Sequence, residues 1–168
     1  MTALRRHALL GYIVAALIVV VDQVSKYWII TLLQLPQRGV IELLPILNFQ
    51  WVENRGVSLG MLTASSDSQR WLLVALTGAI SVGVAIWIWR EKRAQDVLAL
   101  GLVLGGAIGN LSDRARYGYV ADFIDLHFGD FQPFLVFNVA DAAITIGVVI
   151  LVLRAFLLRE KPEPAENV

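Results

Sequence analysis

Four long apolar stretches limit the possible folds of this chain more than any other feature of the sequence. The core of a bilayer requires about 20 mostly apolar residues in a helix. The clearest stretch, at 71–89, is uncharged and lies between Arg70 and Arg90. Three further stretches lie at about 8–32, 97–111 and 138–158. We therefore predict an all-α membrane protein with four transmembrane helices, built as a single integral membrane domain over 1–168.

The composition agrees with a membrane protein and excludes several classes of function. Charged residues make up 17% of the chain and apolar residues 57%, whereas about a quarter of a soluble domain is charged. The formal net charge is zero, so we predict no nucleic-acid partner. The chain has no cysteine, which excludes thiol catalysis, disulfide bonds and thiolate metal sites.

The distribution of positive charge predicts the orientation, because short cytoplasmic segments are rich in Lys and Arg. Such residues gather near both termini and between the second and third helices: Arg5, Arg6, Arg90, Lys92, Arg93, Arg154, Arg159 and Lys161. Both termini are therefore predicted to be cytoplasmic. The first apolar run continues to Leu33 with no small-residue cleavage site, so we interpret it as a retained helix and not as a secretory signal. The tail at 160–168 is predicted to be disordered.

The two segments on the outer side differ in character. Between the first two helices, 34–70 contains Val40-Ile41 and the run at 46–52, which are typical of short strands. We predict a small extracytoplasmic β-rich segment there, covering the site. The connection at 114–137 carries seven aromatic residues, and aromatic side chains favour the membrane–water interface. We predict that this segment lies on the outer leaflet.

Polar residues gather at the outer ends of the helices. A charged side chain at the centre of a spanning helix costs about 2.5–3.5 kcal/mol on insertion scales, so such residues are functional candidates. The candidates on the helices are Asp22, Lys26, Asn110, Asp113, Arg114, Asn138 and Asp141. Asp122, Asp125 and Asp130 lie in the aromatic connection. The sequence thus places these groups at one level of the membrane.

Structural roles are open for several of these residues. Asp22 and Lys26 are four residues apart, with the acid first, which is the favoured ion-pair spacing on a helix. Asp113 and Arg114 would pair locally or with that first pair. The glycines Gly101, Gly105 and Gly109, at four-residue spacing, favour a close helix-packing face.

Asn138 and Asp141 have the spacing of an N-cap and its capping box. No comparable local structural role accounts for Asp122, because it lies between the apolar pairs Val120-Ala121 and Phe123-Ile124. Two carboxylates held close together cannot both ionise easily, so their pKa values separate. Such a pair can activate water and protonate a peptide carbonyl. This chemistry needs no metal, cofactor, cysteine or serine.

Other chemistry fits the residues less well. The run 56–60 matches G-x-S-x-G, but a nucleophile elbow needs a large α/β sheet that this chain is too short to form. A metal site from Asp122, Asp125 and His127 would contain less histidine than zinc sites usually do. Asp125 and Asp130 are interpreted as interface charges. A proton-relay transporter would spread its carboxylates through the membrane depth, and a non-catalytic scaffold would tolerate replacement of both acids.

Five motifs, in order, resemble those of lipoprotein signal peptidase, also called signal peptidase II. They are Asp22-Gln23-Val24-Ser25-Lys26, Asn54-Arg55-Gly56, Gly105-Gly106-Ala107-Ile108-Gly109-Asn110-Leu111-Ser112-Asp113-Arg114, Val120-Ala121-Asp122-Phe123 and Phe137-Asn138-Val139-Ala140-Asp141. The length and the four-helix topology also agree with this family.

The resemblance implies an aspartic endopeptidase of the bacterial inner membrane, with its active site at the periplasmic face. The family removes signal peptides from prolipoproteins and cuts before a cysteine that carries a diacylglyceryl group. The cyclic peptide globomycin blocks it, and a groove entered sideways from membrane lipid is compatible with a monomer. By resemblance, Asp122 and Asp141 are catalytic. The residues that would bind substrate or support the site are Asn54, Gly56, Asn110, Asp113, Arg114, Asn138, Ala140, Asp22 and Lys26.

Two stretches depart from the family pattern. Leu59 replaces a common aromatic residue, and the segment 133–137 is longer than usual between its proline and phenylalanine. Both departures would change the shape of the groove and the fit of an inhibitor without touching the acid pair.

Overall fold

Four long helices form the body of the protein. A computed structural model describes residues 3–56, 67–129 and 131–157. Within these ranges four helices are long and apolar enough to cross a membrane. They are α1 (Ala3–Tyr27, continued by a π-helical turn over Trp28–Leu32), α3 (Asp67–Arg90), α4 (Ala94–Tyr117) and α5 (Val139–Leu157), and a short helix α2 spans Leu35–Arg38. The predicted four-helix membrane fold is confirmed.

Helix α4 is the central element of this body. Within its most apolar stretch, 56% of the residues are buried, against 17–22% in the other three spanning helices. Its glycines allow this burial, since a Cβ at Gly105 would lie 2.6 Å from the Ala15 carbonyl oxygen of α1, and one at Gly106 would lie 2.4 Å from the Ala140 carbonyl oxygen of α5. The glycine packing face predicted from the sequence is confirmed.

Replacing Gly106 with alanine is expected to destabilise the protein by about 1–3 kcal/mol or more, because the contacting atom is backbone and cannot rotate away. Gly83→Ala is the matched control, since Gly83 lies on a spanning helix with no atom near a built Cβ. Thermal melting in detergent should show a clearly lower Tm for Gly106→Ala than for Gly83→Ala. Equal melting temperatures would contradict this account of the α4–α5 contact.

A three-stranded antiparallel sheet lies at one end of the helices, in the order β1-β2-β3. Strands β1 (Val40–Leu44) and β2 (Leu47–Asn54) come from the segment predicted to be β-rich, and β3 spans Val120–Leu126. The connection at 114–137, predicted as an aromatic surface segment, therefore also contributes a strand to this sheet. Strand β3 was not predicted because its residues are buried on both faces, so it lacks the alternation that marks a half-exposed strand.

Three of the spanning helices, α1, α3 and α4, extend beyond their predicted bounds, and α4 extends furthest. Helix α4 continues to Tyr117, beyond the predicted end at 111, and closes at Gly118 with φ 84°. The predicted helix ended too early because polar residues begin at 110 and lower the hydropathy, although the backbone remains helical.

The predicted environment of Asp125 is corrected by the structure. Asp125, interpreted as an interface charge, is only 3% exposed, so that interpretation is wrong. Residues 57–66 with Leu59, Asp130 and the tail at 160–168 lie outside the described residues.

A polar contact joins α4 and α5 at the end opposite the sheet. Arg154 of α5 hydrogen-bonds Asp96 and Gln95 of α4. The Asp96 and Arg154 side chains are partly exposed, so this ion pair stays in contact with its surroundings.

Candidate active site

Asp122 and Asp141 face one groove from two different elements. Asp122 lies on β3, and Asp141 lies in the first turn of α5. The groove has a volume of about 690 Å³ and is lined by Asn54, Asp122, Leu126, Pro133, Phe134, Leu135, Val136, Phe137, Asp141, Ala142, Ile144, Thr145 and Ile146. Apart from a few polar groups, its walls are apolar, and one wall is the spanning helix α5.

The position of Asp141 follows from the capping box that begins α5. The Asp141 backbone N–H donates to the Asn138 Oδ1 atom at 2.9 Å, and the Asn138 backbone N–H donates to the Asp141 Oδ2 atom at 3.1 Å. This is the reciprocal arrangement predicted from the sequence. The other oxygen, Oδ1, accepts a hydrogen bond from the Asn110 side chain at 2.7 Å. The carboxylate of Asp141 is thus held through both oxygens.

Asp122 is held by two asparagine amides. Its Oδ1 atom accepts from Asn138 Nδ2 at 2.6 Å, and its Oδ2 atom accepts from Asn54 Nδ2 at 3.0 Å. The sheet register explains the second contact, because Asn54 pairs with Val120 and Val52 pairs with Asp122 across β2 and β3. Asn138 is fully buried and contacts both acids, so one residue links their positions.

The environment of Asp122 favours its neutral form. Burial, reinforced by the negative charge of nearby Asp141, raises the pKa of Asp122 to about 7. The amides of Asn54 and Asn138 act in the opposite direction. Asp141 lies at the N-terminal turn of a helix, where the dipole stabilises a negative charge. The arrangement therefore suits one protonated and one ionised carboxyl group in the same groove.

The remaining polar residues of the helices form a buried cluster behind the groove. The Lys26 ammonium lies 2.9 Å from Asp22 Oδ2 and 2.7 Å from Asp113 Oδ2. Lys26 also donates to Asn110 Oδ1 at 3.1 Å. Asp22 thus pairs with Lys26, as its spacing predicted, and Asp113 pairs with the same lysine and not with Arg114.

Arg114 contacts the chain that follows β2. One of its NH2 groups donates to the Gly56 carbonyl oxygen at 2.9 Å, and the Gly56 N–H donates to Asn54 Oδ1 at 3.1 Å. The buried Nε atom of Arg114 has no hydrogen-bond partner among the described residues. Arg70 of α3 in turn donates to the Arg114 carbonyl oxygen at 2.8 Å. These contacts position the segment beside Asn54.

Gln23 and Thr145 also lie in this region, and neither was predicted as a site residue from the sequence. Gln23 donates to Asp22, to Asp113 and to the Gly109 carbonyl oxygen. Thr145 lines the groove one helical turn after Asp141. The sequence feature that could have indicated Gln23 is its position directly after Asp22 on a membrane helix. Within the described residues, no three His, Asp or Glu side chains group so as to hold a metal ion.

Comparison with known proteins agrees with the membrane fold and shows the family of the chain. The family model described as signal peptidase (SPase) II matches residues 14–157. The lipoprotein signal peptidase of Rhizorhabdus wittichii is 62% identical over 96% of this chain and 94% of its own, and that of Sphingopyxis alaskensis is 54% identical over 93% and 90%. A bacterial membrane enzyme solved by the in meso method at 2.3 Å resolution superposes with a TM-score of 0.76 at 28% identity, covering 94% of this chain and 93% of that one.

The fold and these comparisons define a multi-pass membrane peptidase. The chain belongs to the signal peptidase II family, because the family model covers most of its length and the relatives align over nearly all of it.

Proposed function

We propose that this protein is an aspartic endopeptidase that removes signal peptides from bacterial prolipoproteins, cutting before the diacylglyceryl-modified cysteine. The observation that carries the proposal is the pair Asp122 and Asp141, which line one groove and share Asn138. The family of the chain and the names of its relatives support the substrate class.

Water is the nucleophile in the proposed reaction. Ionised Asp141 takes a proton from the water while the water oxygen attacks the peptide carbonyl carbon. Asp122, whose pKa of about 7 leaves a large share of the molecules protonated at this position at neutral pH, gives its proton to the carbonyl oxygen. The resulting gem-diol collapses when Asp141 gives the proton that it received to the leaving nitrogen, Asp122 takes a proton from one hydroxyl group, and the C–N bond breaks. Each carboxyl group thus acts as acid in one half of the reaction and as base in the other.

The supporting residues hold this pair or the substrate backbone. Asn54, Asn110 and Asn138 donate to the two carboxylates and fix their orientation. In the proposal, Arg114 and Gly56 hold the segment that follows β2 beside the groove. Ala140 presents its backbone N–H to Asp22.

The groove suits a substrate that enters from lipid. Its apolar wall on α5 lies within a candidate membrane span, and Phe134 and Leu135 at its edge are 59% and 65% exposed. The acyl chains of a lipidated cysteine would therefore stay in the membrane while the peptide reaches the acids. In this proposal the site faces the periplasm, both termini are cytoplasmic in the inner membrane, the enzyme is a monomer, and globomycin-type cyclic peptides occupy the same groove.

The direct test is cleavage of a purified lipidated precursor, with the unmodified precursor as the matched control. We expect one new N-terminus at the lipidated cysteine, little cleavage of the unmodified chain, and no effect of a chelator. Mass spectrometry of the products and their rate of appearance provide the measurement. Equal cleavage of both precursors, a different cut, or activity that requires added zinc would contradict the proposal.

A further inference from the structure

Two buried acids behind the groove each hold the backbone next to a groove aspartate. Asp22 Oδ1 accepts a hydrogen bond from the Ala140 N–H at 3.1 Å, and Ala140 immediately precedes Asp141. Asp113 Oδ2 accepts from the Ala121 N–H at 3.2 Å, and Ala121 immediately precedes Asp122. Both acids are 0% exposed. In both cases the anchored N–H belongs to the residue that immediately precedes a groove aspartate.

Lys26 and Gln23 join these two anchors. The Lys26 ammonium contacts both acids, at 2.9 and 2.7 Å, and gives its third hydrogen bond to Asn110 Oδ1. The Gln23 amide nitrogen also reaches both acids, at 3.1 Å and 3.0 Å. An ammonium has three donors, and those of Lys26 are all used by Asp22, Asp113 and Asn110. An unbroken path therefore runs from Ala121 to Ala140 through side chains that do not line the groove.

The energetics favour a positional role over a stabilising one. Burying an ammonium and two carboxylates costs several kcal/mol per ion, and apolar replacements of whole buried ion clusters are often neutral or stabilising. Helices α1 and α4 already pack closely through Gly101 and Gly105, so the cluster is not needed to bring them together. A requirement for fixed positions of the two groove carboxyl groups accounts for the cluster better than a contribution to stability does.

We propose that Asp22, Lys26 and Asp113, together with Gln23, form a brace that fixes the separation and orientation of the Asp122 and Asp141 carboxyl groups. This inference rests on the proposed function, in which those two carboxyl groups share one water. The brace residues are positioning residues, since they act through Ala121, Ala140 and Asn110 and touch no substrate. A misplacement of about 1 Å can cost about 10²-fold in rate, so a loosened brace lowers kcat more than it changes KM.

The central test replaces the cluster as a unit. The triple variant Asp22→Asn/Lys26→Met/Asp113→Asn leaves no unpaired buried charge, and its amide oxygens can still accept from Ala140 and Ala121. It lacks the cation that joins them. We expect it to fold with a Tm near that of the wild type, a kcat for lipidated precursor lowered about 10–100-fold, and a KM within about twofold. A folded triple variant with wild-type kcat would overturn the proposal.

Two further variants keep the test decisive. Arg154→Met breaks the α4–α5 ion pair at the far end and is the matched control, for which kcat should stay unchanged even if Tm falls. Gln23→Met removes the neutral half of the brace and decides the question if the triple variant does not fold. A kcat loss of several-fold at constant KM supports the brace, and an unchanged kcat refutes it.

Failure of the brace is separable from failure of the proposed function. If Asp122→Asn is inactive while the brace variants keep wild-type kcat, only the brace is wrong. If Asp122→Asn cleaves normally, the proposed function is wrong, and the brace, which depends on it, falls as well.

Discussion

Asparagine in place of Asp122 or Asp141 is expected to lower kcat for cleavage of a lipidated precursor by about 10³–10⁴-fold. General acid–base groups contribute up to about 10⁴-fold, and in the proposed mechanism each carboxyl group acts once as acid and once as base. An amide is nearly the same size but transfers no proton. The measurement is the initial rate at saturating substrate, with equal amounts of folded protein.

Asp125→Asn is the matched control for this result. Asp125 lies on the same strand as Asp122 and is equally buried, but it does not line the groove. Its replacement should leave kcat within a few-fold of the wild type. The dyad mechanism would be wrong if either groove variant cleaved at the wild-type rate. If Asp125→Asn were as inactive as the groove variants, loss of activity would not identify the catalytic acids.

Loss of activity in Asp122→Asn should not come from unfolding. The pKa of Asp122 is raised in the folded protein to about 7 by burial and by Asp141, whereas the unfolded value is near 3.8. The folded state therefore binds the proton more tightly, and the stability that this contributes is lost as pH rises from about 4 through about 7. Since asparagine does not ionise, the variant should melt above the wild type at pH 8 and near it at pH 5. The opposite order would contradict the raised pKa.

The second large effect is expected at Asn138. Alanine at this position removes the N-cap of α5 and the amide that contacts Asp122. Loss of the cap should cost about 0.5–2 kcal/mol, and misplacement of both carboxylates should lower kcat about 10²-fold. Tm and kcat are measured on the same preparation.

Asn138→Ser separates the two roles of this residue. Serine is a good N-cap, so it should recover most of the lost stability. Its hydroxyl is shorter than the asparagine amide and does not replace the contacts that Asn138 Nδ2 makes with Asp122 and Asn110. We therefore expect kcat to stay low in the serine variant. A kcat that rises in step with Tm would show that Asn138 acts through stability alone.

Features that depend on nearby residues were predictable from the sequence. Hydropathy placed the four spanning helices, the three-residue spacing of Asn138 and Asp141 predicted the capping box, and the four-residue spacing of Asp22 and Lys26 predicted their ion pair. Each of these depends only on helix geometry. The resemblance to signal peptidase II then supplied the pair Asp122 and Asp141 before any distance was known.

Features that depend on distant chain segments were not predictable in the same way. Asn54 reaches Asp122 because β2 pairs with β3 in a register that contains an irregularity between Phe49 and Val52. One sequence gives no sign of that register. The bonds from Ala121 and Ala140 to buried acids on other helices involve backbone groups, which no residue pattern marks. Burial of Asp125 was missed because β3 itself was missed.

The contact between Gly106 and the Ala140 carbonyl oxygen has a consequence for engineering this enzyme. Because Ala140 precedes Asp141, a side chain at 106 would push on the peptide unit that carries a groove acid. A library designed to change substrate preference should therefore leave 106 fixed, although it lies on another helix. Diversity is better placed at Phe134 and Thr145, which line the groove and are not among the groups nearest Gly106.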